Sequence, residues 1–310
     1  KNSDPKNPDV VYNNGHFLHQ LNLFVGPVNF YYEINEKKYC KKMNTGDSSY
    51  ISPFIKHSFT SRDKNRQAYI VAVTTGSNLK RNQKEIRKFG KKFLENSFLK
   101  ARNTKDFFIK IIKRSLADEL ISEEKFSILI GKNLFKKIFF SQSIEDLTIK
   151  DLLKISNVLK IPVNDLIIEN DNNDYVTNKF FESSDFSFFP SNTNQRYKIF
   201  RLAYSQKYKK LKGFIFHILT TKTKTDLSFS GNSYLINFGN HSVDFLWKYN
   251  KKNYQKILSP GDSVYIEPYI SFGFRKKNND CMIYLVNCET CIDSKTLREM
   301  AVISEPLRFI

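Results

Sequence analysis

Apolar and polar positions change their period twice along the chain. Leu21–Val25, Val28–Ile34, Ser49–Ile51 and Ala68–Thr74 are short runs rich in β-branched and aromatic residues, bounded by turn residues. Such runs predict strands. The same pattern returns in Gly213–Thr220, Ser233–Phe238, Val243–Tyr249, Val264–Ile266 and Met282–Asn287, and 196–216 reads as further strands. Between the two regions the spacing becomes helical. Lys80–Arg102 is highly charged, and Asp106–Glu119 carries Phe107, Ile111 and Leu116 at helical spacing. In 143–166, Thr148 and Asp151 open a capping box and Pro162 stops the helix. Residues 170–174 form a polar linker.

The two strand regions repeat each other. TGDSSYISPFIKHSF at 45–59 lies over PGDSVYIEPYISFGF at 260–274, an offset of 215. At the same offset 28–32 lies over 243–247, and Tyr39 over Tyr254. Many short strands in two copies predict small barrels or jelly rolls. The expected fold is α+β: two cupin (double-stranded β-helix, jelly-roll) units, the second degenerate, joined by a helical bundle. The expected parts are 1–79, 80–174 and 175–310. The close of the bundle resembles the last helices of a phage-repressor-type helix-turn-helix unit. Its segment around Lys132–Phe140 mixes basic with aromatic residues and suits packing better than DNA. Copy one has only 15 residues before its equivalent of Gly231. Its first strands and its own helical unit are therefore expected upstream of Lys1, in a longer tandem protein.

Composition narrows the function classes. A chain of 310 residues with 40% hydrophobic and 15% aromatic content can bury a sizeable core. No apolar run approaches the ~20 residues of a membrane-spanning helix, and the start has no apolar leader. Four cysteines are too few for a disulfide scaffold and point to a reducing, cytoplasmic setting. Cys288 and Cys291 form a lone C-x-x-C without the second pair that zinc would want. The formal charge of +19, from 50 basic and 31 acidic residues, attracts anions. The basic residues are scattered, and the abundance of Lys, Asn, Ile and Phe also fits a coding bias. Neither a membrane nor nucleic acid is expected as a partner.

Copy one holds the candidate chemistry. Its opening is Asn13-Asn14-Gly15-His16-Phe17-Leu18-His19-Gln20, and His57 follows about 40 residues after His16. A histidine at an early strand and another after G-D-x-x-x-I-x-P have the layout of a cupin metal site. The offset of 215 places Gly231, Leu235 and Phe272 over His16, Gln20 and His57, so the second copy lacks the set. Three ligands that leave open positions on Fe(II) suit oxygen chemistry. Gln20 shares the parity of His16, but in a straight strand the two would stand ~13 Å apart. A shared ion requires a bend between them, and Gly15 is placed to help it. His19 has the opposite parity and faces away.

The motif Asn-x-Gly-His-x-x-x-Gln with a distal histidine resembles the hydroxyethylphosphonate dioxygenase/methylphosphonate synthase family. The resemblance implies tandem helix-turn-helix plus cupin units, one cupin active and one degenerate. It implies Fe(II) on His16, Gln20 and His57, and 2-hydroxyethylphosphonate and O2 as the reacting partners. Asn13 matches the substrate-binding Asn, and Gln67 is a candidate for a further polar contact. The dioxygenase branch carries a Glu six residues before the distal histidine, where this chain has Ile51. That favours the branch whose product is methylphosphonate, within phosphonate biosynthesis, over release of hydroxymethylphosphonate and formate. The family's Arg, Tyr and Lys substrate contacts would fall before Lys1. A helix-turn-helix/cupin transcriptional regulator and a non-catalytic interaction fragment are the competing readings. Ligands confined to one copy speak for the enzyme. Oligomeric state stays open, with a homo-oligomer compatible with a tandem plan.

Overall fold

The computed structural model describes residues 15–16, 18–76, 87–88, 104–141, 143–167, 175–190, 194–206, 208, 210–277 and 281–288. Asn13, Cys291 and most of the expected helix 80–102 lie outside them. The chain forms two compact units, one of Lys1–Lys80 with Asp174–Ile310 and one of Arg81–Asn173.

The first unit is β-rich and cupin-like. Its front part runs β1 (His19–Val25), β2 (Val28–Ile34), β3 (Lys37–Met43), β4 (Ser48–Ile51), β5 (Lys56–Ser61) and β6 (Tyr69–Thr75). After the helical residues come β7 (Val176–Lys179), β8 (Phe186–Phe189), β9 (Tyr197–Arg201) and β10 (Leu211–Ile218). The rear part continues with β11 (Asn232–Asn237), β12 (Val243–Tyr249), β13 (Lys252–Leu258), β14 (Ser263–Ile266), β15 (Ser271–Lys276) and β16 (Met282–Cys288). All pairings are antiparallel. In front, the sheet β6-β1-β4-β7 and the sheet β3-β2-β5 enclose one core of Phe24, Phe30, Tyr32, Met43 and Ile51, with Val176 packed against it. In the rear, β14-β11-β16-β10-β9-β8 and β13-β12-β15 enclose Leu235, Phe245, Phe272, Phe274 and Leu285. β7 thus completes the front sandwich although about a hundred residues separate it from β6.

Strand alternation gives β1 two jobs. Its even residues, Gln20, Asn22 and Phe24, face the front interior. Leu21 and Leu23 pack with Tyr50, Leu202, Leu211, Ile215, Tyr284 and Val286 in a second core that joins front to rear. The residues 1–79 and 175–310 that sequence divides therefore share buried surface inside one unit. The join is close: a Cβ on Gly213 would stand 2.4 Å from Leu21 Cδ2.

The second unit holds α1 (Thr104–Asp118), α2 (Glu123–Ile130), α3 (Lys132–Phe140), α4 (Ile149–Leu159) and the short α5 (Val163–Leu166). Their core is Phe108, Ile112, Phe126, Ile130, Ile138, Ile155 and Leu159. The capping box expected at α4 is present: Asp151 N–H donates to Thr148 Oγ1, and Thr148 N–H donates to Asp151 Oδ2. Among the described residues no helix is long and apolar enough to cross a membrane.

Candidate metal centre

The bend required by the sequence lies just before β1. Gly15 has φ of +78°, and a Cβ there would stand 2.6 Å from the backbone carbon of Phe54. Phe54 N–H donates to the His16 carbonyl at 2.8 Å, which pins the turn against the loop ahead of β5. His16 therefore folds back over Gln20, and its Nε2 lies 2.6 Å from Gln20 Oε1. Leu18 N–H donates to His16 Nδ1 at 3.3 Å, so in this arrangement Nε2–H is the donor to Gln20; to bind a metal through Nε2, His16 would carry its proton on Nδ1 and give up the Leu18 bond. His57 comes from β5 on the opposing sheet, and its ring centroid lies 5.3 Å from that of His16, edge to face. His57 Nδ1–H donates to the Ile55 carbonyl at 2.8 Å, which leaves the Nε2 lone pair available.

These three side chains fit a divalent first-row ion. Neighbouring donors on an ion with ~2.1 Å bonds sit about 3 Å apart, close to the spacing of His16 and Gln20. Imidazole nitrogens with an amide oxygen suit iron among other such metals. Among the described residues no group of three or more His, Cys, Asp or Glu could hold a metal, so the centre depends on the neutral Gln20. Burial lowers the basicity of His57; the Ile55 bond opposes this, and the charge of His16 adds to it. His57 is thereby held in the neutral form a ligand needs.

His19 faces the other way, as its parity requires. Its Nδ1 lies 2.6 Å from Tyr50 Oη, and its ring stacks on Tyr208 of the rear part at 3.5 Å between centroids. Burial, and then the charge of His16, lower its pKa to about 4.

The strand registers correct one detail of the repeat. Val28 pairs with Met43 and Val243 with Leu258, so β2 and β12 keep the offset of 215. Gln20, however, pairs with Ile51, while Ile266 pairs with Ser233. The offset across β1 and β11 is thus 213, because the β11–β12 loop is longer than the Gly26-Pro27 turn. The rear counterparts are Phe229 for His16, Ser233 for Gln20 and Phe272 for His57, not Gly231 and Leu235 for the first two. Backbone bonds agree: Phe54 N–H donates to the carbonyl of His16, and Tyr269 N–H to that of Phe229. Where the front pairs two histidine rings, the rear pairs Phe229 with Phe272, 5.9 Å apart.

A second correction concerns Gln67. It lies just before β6, whose Tyr69 pairs with Val25, whereas Thr75 pairs with His19 at the histidine end. The seven residues of β1 separate the ends by ~20 Å. Gln67 is exposed and accepts a hydrogen bond from Tyr69 Oη, so it is not part of the centre. Sequence reasoning passed over Tyr32, which sits opposite His57 on β2 and faces the same interior. It also passed over Asn22, two residues beyond Gln20 and buried beside it. Parity with Gln20 was the available signal for Asn22.

Fold and cluster together define a β-rich, cupin-like protein with a candidate metal centre in its front sandwich. No family model matches the chain. Over 279 residues it is 32% identical to methylphosphonate synthase of Nitrosopumilus maritimus (strain SCM1), covering 89% of this chain and 61% of that protein. The chain therefore spans about three-fifths of the length of this relative. A structure of Streptomyces albus HEPD with 2-hydroxyethylphosphonate and Fe(II) bound superposes with a TM-score of 0.85 at 24% identity, over 99% of this chain and 69% of that one. A variant of 2-hydroxyethylphosphonate dioxygenase gives a TM-score of 0.77 at 17% identity, over 96% and 71%. The fold is that of HEPD, and the resemblance to methylphosphonate synthase holds across nearly the whole chain.

Proposed function

We propose that this chain belongs to a non-haem iron enzyme that uses O2 to convert 2-hydroxyethylphosphonate into methylphosphonate by breaking its C–C bond. The single observation that carries the reading is the front interior. His16, Gln20 and His57 converge there, while the equivalent rear positions are Phe229, Ser233 and Phe272. The 32% identity to a methylphosphonate synthase supports the same reading. In this proposal 1–79 is the metal-binding cupin, 80–174 a helix-turn-helix-like bundle and 175–310 a degenerate cupin, in a cytoplasmic protein.

Iron(II), held by His16, Gln20 and His57, would supply Lewis acidity and the capacity to activate O2. The residues do the rest. The His57 bond to Ile55 O fixes one imidazole and leaves its Nε2 lone pair free to hold the ion. Gln20 contributes an oxygen without a charge, so the centre keeps its full positive charge toward a dianionic phosphonate. Asn13, outside the described residues, would donate to a phosphonate oxygen. Ile51 is fully buried opposite Gln20, which keeps a carboxylate out of that position and favours the synthase outcome over the dioxygenase one. Phosphorus NMR on iron-loaded protein with 2-hydroxyethylphosphonate under O2 tests the proposal. Methylphosphonate is the expected product, hydroxymethylphosphonate alone would assign the dioxygenase outcome, and no conversion would refute the activity for this chain.

A further inference from the structure

We infer that Asn22 is a positioning residue that turns Gln20 into a metal ligand, an inference that rests on the iron site proposed above. A glutamine amide has two ends of similar shape, and only the oxygen can bind a cation. Something must therefore hold the amide with Oε1 toward the histidines. Gln20 Nε2–H donates to Asn22 Oδ1 at 2.6 Å, which leaves Oε1 facing His16. A reversed Gln20 would set its oxygen against Asn22 Oδ1, two acceptors in contact, and aim its NH2 at the centre. Asn22 in turn places its Nδ2–H on Ser49 Oγ at 3.0 Å across the β1–β4 pair. Asn22 and Ser49 are both 0% exposed. With its Nδ2–H on Ser49, Asn22 presents Oδ1 to Gln20 and holds that amide in place.

The rear sandwich shows that the fold does not need these polar groups. The register Asn22↔Ser49 recurs there as Leu235↔Val264. Beside them Ser233, the counterpart of Gln20, instead accepts from Asn287 Nδ2 at 3.1 Å. The same two strands in the same pairing pack Leu against Val where no ligand is present, and Asn against Ser where Gln20 is. Buried polar groups are costly unless partnered, and the partners of Asn22 are Gln20 and Ser49, so the front pair does for Gln20 what Leu235 and Val264 cannot do.

The test measures Fe(II) affinity of the full chain by anaerobic chelator competition. Outer-shell partners typically contribute 10–100-fold to metal affinity. Asn22→Leu is expected to weaken iron binding about 10–100-fold, while Asn22→Asp, which keeps an acceptor for Gln20 Nε2–H, restores most of it. In a Gln20→Glu background either carboxylate oxygen can ligate, so Asn22→Leu should then cost less than about threefold. Equal losses in the two backgrounds would show a merely structural role and overturn the inference. If Asn22→Leu does not fold, Ser49→Val, which copies Val264, carries the same comparison. His57→Ala is the control on the reading beneath: loss of iron there with no loss in Asn22→Leu removes only the role of Asn22. Unchanged iron in His57→Ala removes the site itself.

Discussion

Gly15→Ala is the sharpest probe of how the backbone builds the centre. Gly15 has φ of +78°, and an L-residue in that region costs about 1 kcal/mol. The new methyl carbon would lie 2.6, 2.7 and 2.8 Å from the C, Cα and O atoms of Phe54, all backbone atoms. The two segments must separate, and the 2.8 Å bond from Phe54 N–H to the His16 carbonyl is lost, at about 0.5–1.5 kcal/mol. The sum is about 1.5–2.5 kcal/mol. Freeing the turn at residues 15–18 relieves it more cheaply than unfolding a sandwich, so the loss should appear in His16 and not in global stability. At 1.4 kcal/mol per factor of ten, iron affinity should fall about 10- to 60-fold. Gly261→Ala is the control: its φ is +88°, yet nothing stands within 4 Å of a Cβ there. It should cost about 1 kcal/mol in denaturant titration and leave iron binding intact. Gly15→Ala protein that binds iron within about threefold of the unaltered chain would refute the reasoning, since the turn would then not be what places His16.

Stability should fall with acidity in a defined window. Folded His19 titrates at about 4 and an unfolded histidine near 6.5, so below 6.5 the unfolded chain binds the additional proton. The contribution is fully present above pH 6.5 and is lost as pH falls toward 4; urea titrations across that range should show it, with a shallower slope in His19→Gln. The lowered basicity of His57 should move proton competition at that ligand below the ordinary histidine value of about 6.5, so chelator competition across pH should show a smaller acid-side loss from His57 than from an ordinary histidine. Thr148→Ala removes the side-chain half of the α4 capping box, the bond from Asp151 N–H to Thr148 Oγ1, and should destabilise the helical unit by about 1 kcal/mol in thermal melts, with iron binding unaltered.

Period and turn residues made much of this molecule legible before any coordinates. The 45–59 and 260–274 match put β4 and β14 in equivalent places, and Thr148 with Pro162 bounded α4. Parity separated His19 from Gln20, and the structure places them on opposite faces of β1. The gap-free offset failed at β1 because loops change length freely while strands keep their register. That two-residue slip concealed Phe229 and Ser233 as the rear counterparts. Gln67 lies close to His57 along the chain, but antiparallel order carries it to the far end of β1. β7 was not foreseen as a front strand, because a four-residue segment pairing across a helical unit leaves no local signal. Asn22 has only its parity with Gln20 to mark it in sequence, because its contacts with Gln20 and Ser49 are made by the fold.

Iron content and affinity of anaerobically loaded protein, compared between the unaltered chain, His57→Ala and Gln20→Leu, bear most directly on the front centre. One iron per chain, lost in His57→Ala and strongly weakened in Gln20→Leu, is the predicted result. Equal iron in all three would place the metal elsewhere, and with it any chemistry assigned to the front sandwich.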